Sequence, residues 1–217
     1  MLEVSREPVN LAALAHLAVD AMVGFAREYR VQIRMHTETE EAWVQGDSDR
    51  LMQVFTNLLS NAVKFSPPGE LVELAVTLRE GRVRVAVTDH GPGVPEEFRP
   101  YVFEKFAQAG GSDLRHRGTG LGLSISKAII DRLDGTIGFE SRSGQGTSFH
   151  FELPERPAPA ESLPAEAAAA PAVAGVAETA KEGETAQRVA AVLSAAGLKV
   201  RLAPEGEAAR APVAPGT

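Results

Sequence analysis

The sequence predicts an α+β fold. It reads as a two-layer α/β sandwich, with a mixed sheet carrying three main helices on one face, followed by a disordered linker and a short tail. Three observations predict this. Apolar residues recur at helical spacing over 11–29, 49–65 and 121–133. Strict alternation marks strands, with Val72, Leu74, Val76 and Leu78 on one face and Val83, Val85 and Val87 following in the next segment. Beyond Pro154 the large apolar residues give way to Ala, Pro and Glu.

Taken in order, Asn10 is the N-cap of a first helix over 11–29, with Leu11, Leu14, Leu17, Ala18, Ala21 and Phe25 on one side. Val31–Met35 and Ala42–Gln45 read as short strands. Asp47 or Ser48 caps a second helix over 49–65, which Ser66-Pro67-Pro68-Gly69 ends. Two strands follow, joined by a turn at Glu80-Gly81. A Gly/Pro-rich loop and a short helix near 95–103 lead into an irregular stretch over 108–117. The third helix, 121–133, precedes strands over 136–142 and 147–153, joined at Ser143-Gly144-Gln145-Gly146. Residues 1–154 form the domain, 155–184 a linker, and 185–217 a tail with one short helix and a strand.

The composition of the 217 residues excludes several functions. With a net charge of −7 the chain lacks the basic footprint of a nucleic-acid binder. It has no cysteine, so disulfides, thiolate catalysis and Cys-type zinc sites are excluded. The five histidines are scattered and form no metal-ligand spacing. No apolar run reaches the ~18 residues of a membrane span. Arg6, Glu7 and Pro8 break the N-terminus too early for a signal peptide. The expectation is a cytoplasmic chain with no direct membrane contact.

Three segments carry chemistry. Gly118-Thr119-Gly120-Leu121-Gly122-Leu123-Ser124 runs directly into the third helix. Such glycines admit a close anion, and the helix N-terminus behind them offers free N–H groups and partial positive charge. On the second helix Gln53, Asn57, Asn61 and Lys64 fall within an arc of about 80°, opposite the apolar face. Asparagines are poor helix formers, so this stripe reads either as ligand-facing or as a solvated polar face. Asp89, ending a strand before Gly91 and Gly93, could accept a hydrogen bond from an exocyclic amine or merely shape a turn.

The order of these pieces is distinctive. Asp49-x₃-Gln53-Val54-x₂-Asn57-Leu58-Leu59-x-Asn61-Ala62-x-Lys64-Phe65-Ser66 resembles the N box of sensor histidine kinases. Asp89-His-Gly-Pro-Gly93 is similar to their G1 box, Phe103-Glu-Lys-Phe106 to their F box, and Gly118-Thr-Gly-Leu-Gly-Leu123 to their G2 box. Gly144-Gln-Gly-Thr147 resembles the final glycine box. Walker and Rossmann phosphate loops are excluded, because neither glycine spacing occurs. The resemblance covers about Leu2 to Pro154 and implies the Bergerat ATP-binding fold, with ATP and Mg²⁺ as cofactors.

By that resemblance Asn61 binds Mg²⁺, while Asn57 and Lys64 lie beside the phosphates. Asp89 takes the adenine amine, Gly91 and Gly93 allow close approach, and Thr147 supports the base. Gly118, Thr119, Gly120, Leu121 and Gly122 border the triphosphate. Residues 107–117 correspond to the ATP lid, anchored by Phe103 and Phe106. Lys105, Arg115 and Arg117 are placed to steady the γ-phosphate. Many relatives carry an aromatic and an Arg just after the F box, where this chain has Ala107 and Gln108.

Topoisomerase and chaperone members of the fold place a glutamate base one turn before the metal-binding Asn. Here Asn57 stands there, and an amide is no general base, so transfer is favoured over hydrolysis. None of His16, His36, His90, His116 or His150 sits in a phosphoacceptor motif. The expected partners are therefore a separate or missing phosphoacceptor (dimerisation/histidine phosphotransfer) domain and a downstream response regulator. The parent protein could be membrane-anchored. Residues 187–207 faintly resemble part of a receiver domain, which leaves a hybrid-kinase remnant or an Ala-rich tail. The alternative functions are a regulatory ATP-binding module and an anti-sigma-factor-type serine kinase.

Overall fold

The structure is a computed structural model, and it describes residues 5–108 and 119–159. The expected linker beyond 159, the tail and most of the expected lid lie outside the described residues.

Asn10 does what its position predicts: its side chain accepts from the N–H groups of Ala12 and Ala13 and starts α1, Leu11–Tyr29. Arg30 ends the helix in the left-handed region, with φ 58°. Its N–H donates to the Ala26 and Arg27 carbonyls, and Val31 N–H reaches back to Ala26 at 3.0 Å. Asp47 caps α2, Ser48–Phe65, by accepting from Arg50 N–H. The turn between β4, Leu71–Arg79, and β5, Arg82–Asp89, puts Glu80 and Gly81 at φ 51° and 74°. Both central residues are thus left-handed, as a two-residue hairpin demands.

One element is absent from the sequence reading. Glu7–Asn10 forms β1, antiparallel to β3, Trp43–Gly46, in a separate two-stranded sheet. Four residues that include Pro8 carry too little periodicity to declare a strand; pairing with β3 creates it.

The main sheet has the order β2-β4-β5-β7-β6, where β2 is Gln32–Thr37, β6 Thr136–Arg142 and β7 Gly146–Pro154. Only the β2–β4 pair is parallel. The alternating valines of β4 and β5 are buried on one face, together with Phe151 and Leu153 of β7. They meet Leu51, Val54, Phe55, Leu58 and Leu59 of α2, and Ile129 and Ile130 of α3, Gly122–Arg132. Phe55 stands edge-on to Phe151, with centroids 5.6 Å apart. The helices lie side by side, α1 against β2, α2 against β5 and α3 against β6. Beyond β7 the chain stays tied to the domain: Glu155 N–H donates to Gly81 at 2.9 Å and Arg156 N–H to Trp43 at 2.8 Å.

Candidate functional site

The site is built where β5 ends and β7 begins, beside α2 and α3. Cross-strand register places Asp89, the last residue of β5, opposite Thr147. Asp89 is buried, and its Oδ1 accepts the Gly91 N–H at 2.8 Å. Burial pushes its carboxyl above the ordinary value, partly offset by backbone N–H donation and by His90. Thr147 is not isolated either. Its hydroxyl meets Ser141 Oγ at 3.0 Å, while Ser141 also donates to the Gly146 carbonyl and accepts from Val94 N–H at 2.8 Å. Arg99 donates to the Ser141 carbonyl at 3.1 Å. Gly144 N–H donates to the Pro92 carbonyl at 2.8 Å, so the 90–94 and 143–146 loops are sewn together. A cleft of about 510 Å³ opens here, with Asp89, Ser141, Gly146 and Thr147 in its wall.

Three glycines of this junction admit no side chain. At Gly146, with φ 94°, a β-carbon would overlap the Asp89 carbonyl. At Gly93, with φ 80°, it would stand 2.5 Å from the Arg142 carbonyl oxygen. Gly91 is equally constrained by the Phe65 carbonyl, 2.5 Å from where its β-carbon would lie. That contact brings the Asp89 loop to the end of α2, next to Lys64.

Along α2 the expected stripe is real but its members face different neighbours. Asn57 Nδ2 donates to the Gly122 carbonyl at 3.2 Å and to Ser126 Oγ at 3.3 Å, pinning α2 to the start of α3. Its amide nitrogen is thus engaged within the protein, where the resemblance placed it beside phosphate. Asn61 is half-buried, and its amide has no hydrogen-bond partner among the described residues. Lys64 is half-buried as well, and burial lowers its pKa. Its ammonium sits over the Phe25 ring of α1, 5.9 Å from the centroid.

The glycine loop closes the other end. Phe106 N–H donates to the Gly120 carbonyl at 2.8 Å, and Gly120, at φ 69°, has no room for a β-carbon against the Phe106 backbone. Thr119 Oγ1 accepts the Leu121 N–H at 3.4 Å. Among the described residues no side chain caps α3 and no acidic residue lies in its first turn, so the positive end of its dipole meets no counter-charge there. The two F-box aromatics divide the anchoring. Phe103 packs on Phe139 and Phe149, whereas the Phe106 ring is 72% exposed and only its backbone holds the loop. Lys105 is exposed and makes no ion pair among the described residues. Arg115, Arg117 and Gly118 lie outside the described residues. Sequence reasoning gave no site role to Ser141, Ser126 or Phe25, whereas Gly146 was legible as the second glycine of its box.

This arrangement fits a nucleoside triphosphate. A buried acceptor marks one end, an uncapped helix N-terminus the other, and close-packed glycines leave backbone exposed between them. Among the described residues no group of three His, Cys, Asp or Glu side chains could hold a metal. A lone amide oxygen such as that of Asn61 suits an ion that takes its remaining ligands from phosphate and water.

Comparison with known proteins agrees. Residues 46–157 match the sequence model of the histidine kinase-, DNA gyrase B- and HSP90-like ATPase family. The chain is 50% identical over 114 residues to the sensor histidine kinase AruS of Pseudomonas aeruginosa, a match covering 50% of this chain and 11% of AruS. It therefore spans about a tenth of that relative's length. The nucleotide-free catalytic domain of the histidine kinase ThkA superposes with a TM-score of 0.62 at 30% identity, covering 70% of this chain and 96% of that domain. Full-length ShkA in complex with AMPPNP gives 0.63 at 34% identity, covering 72% and 32%. The chain belongs to the histidine kinase-, DNA gyrase B- and HSP90-like ATPase family, and its domain is an ATPase domain of the histidine-kinase type.

Proposed function

We propose that this chain positions Mg-ATP and delivers its γ-phosphate to a histidine on a phosphoacceptor domain, for onward transfer to a response regulator. The observation that carries this is the continuous run from the buried Asp89 carboxylate, past Lys64 and Asn61, to the uncapped N-terminus of α3. Asp89 accepts from the adenine amine, with Thr147 and the Ser141 hydroxyl fixing the base edge. Asn61 offers its amide oxygen to the metal, and Lys64 and Lys105 steady the terminal phosphate. The N–H groups of residues 119–122 border the triphosphate; the parts of Gly118, Arg115 and Arg117 rest on the family resemblance. Asn61 would hold the metal, which when bound would supply charge neutralisation to the phosphates. Asn57 holds α3 in place and, being an amide, activates no water.

Among the described residues no helix is long and apolar enough to cross a membrane. A cytoplasmic location follows from the need for ATP, whether or not the parent is anchored.

The test mixes the chain with a phosphoacceptor hairpin of a related kinase and γ-labelled ATP. Acid-labile label on the hairpin histidine supports the proposal. Acid-stable label on a serine points to the anti-sigma-factor type, and ATP binding with no transfer to a regulatory module. AruS is a sensor histidine kinase and ThkA a histidine kinase, which favours neither alternative.

A further inference from the structure

Among the described residues Lys64 is a cation without an anion. It is half-buried in the last turn of α2 and forms no ion pair among the described residues. Its ammonium rests instead on the face of Phe25, 5.9 Å from the ring centroid. The Phe25 ring is braced by Tyr29, one helical turn later on α1, at 4.8 Å between centroids and 45° between planes. The two helices are locked at these ends. Gly69 N–H, just past α2, donates to the Arg30 carbonyl at 2.7 Å, and Gln32 N–H to the Glu70 carbonyl at 3.2 Å. The aromatic pair is therefore fixed beside Lys64 by backbone.

A ring face differs from a carboxylate in what it leaves over. It attracts the ammonium through its quadrupole but consumes no N–H donor and cancels no charge. All three donors and the full positive charge remain for an incoming anion. A carboxylate at position 25 would hold Lys64 more firmly and compete with phosphate for it.

We propose that Phe25, braced by Tyr29, is a positioning residue that holds the Lys64 ammonium charged and aimed for the terminal phosphate of a nucleoside triphosphate. The inference rests on the nucleotide reading of the site above. Phe25 itself touches no nucleotide; it acts through Lys64.

The test compares ATP and ADP binding to the full chain in the wild type, Phe25→Leu and Phe25→Tyr, by titration calorimetry. Phe25→Leu keeps an apolar side chain without the quadrupole. It is expected to weaken ATP binding about fivefold while ADP changes by less than about twofold, and Phe25→Tyr is expected to restore ATP binding. Equal loss for ATP and ADP, or no rescue by Tyr, would mean that Phe25 serves packing alone and overturns the proposal. The ring contact is read independently by NMR. The Lys64 ε-CH₂ protons should carry an upfield ring-current shift in the wild type that Phe25→Leu removes; its absence from the wild type overturns the proposal too. A wild type that shows this shift yet binds neither nucleotide would refute the nucleotide reading of the site, and not the pairing of Phe25 with Lys64.

Discussion

The Asn57 amide nitrogen lies 3.2 Å from the Gly122 carbonyl and joins the middle of α2 to the first residue of α3. A carbonyl can only accept, so this contact determines which way the amide points. The same side chain that looks like a ligand in the sequence is a pin in the structure. It sets the distance between the amide stripe of α2 and the N-terminus of α3.

Removing the pin has a graded outcome. Asn57→Ala should cost about 1–3 kcal/mol, because the Gly122 carbonyl and the buried Ser126 hydroxyl lose their donor. Asn57→Asp should cost more than Ala, since it turns a carboxylate towards a carbonyl oxygen. Urea denaturation midpoints check the order; an Asp variant as stable as the wild type would show that the contact is not made.

Asp89 is expected to give nucleotide binding a pH dependence. Its carboxyl is raised by burial above an ordinary value of 3.8. As pH falls through the raised value the group should protonate and cease to be an acceptor-only partner for the adenine amine, so ATP affinity should fall with it. The stability effect has the opposite sense. The folded chain holds this proton more tightly than the unfolded one, so the group's contribution is present below 3.8 and lost as pH rises to the folded value. Asp89→Asn should weaken ATP by about 1–3 kcal/mol and flatten the affinity profile. Calorimetric titrations across pH 5–8 measure both; a wild type that binds GTP as well as ATP counts against Asp89 as the base-reading group.

Gly146→Ala should be among the most damaging single substitutions. The new methyl group would occupy the position of the Asp89 carbonyl in a backbone at φ 94°. Strain and overlap together should cost about 2–4 kcal/mol. Gly144→Ala in the same loop also has positive φ, but its β-carbon meets nothing within 4 Å, so it should cost less. Thermal melts of the pair separate overlap from backbone strain.

Asn61→Ala should leave stability within about 0.5 kcal/mol of the wild type, because its half-buried amide holds no partner among the described residues. It should remove the increase in ATP affinity on adding magnesium. Affinity that still rises with magnesium as in the wild type assigns the metal elsewhere.

Much of this protein was determined locally and was therefore legible in the chain. Asn10 and Asp47 cap helices whichever partners those helices find, and Glu80-Gly81 turns a hairpin because two residues there tolerate a left-handed backbone. The alternating valines of β4 and β5 and the apolar face of α2 state their own periods, so the two-layer arrangement followed from burial. The glycine boxes, Asp89 and the Asn57-Asn61-Lys64 stripe were visible because close approach, a buried acceptor and a one-sided polar row require particular residue types at particular spacings.

What the tertiary structure decided are relationships between segments distant in sequence. β1 exists because β3 supplies its hydrogen bonds, and Ser141 becomes the hub of the Asp89–Thr147 junction only when β6 pairs with β7. Asn57 turns inward because Gly122 offers a carbonyl across 65 residues of chain, and Lys64 finds a ring instead of a carboxylate because α1 and α2 end side by side. A side chain's type is written in the chain, but which of its hydrogen bonds and charges remains free for a ligand depends on the neighbours that packing brings to it.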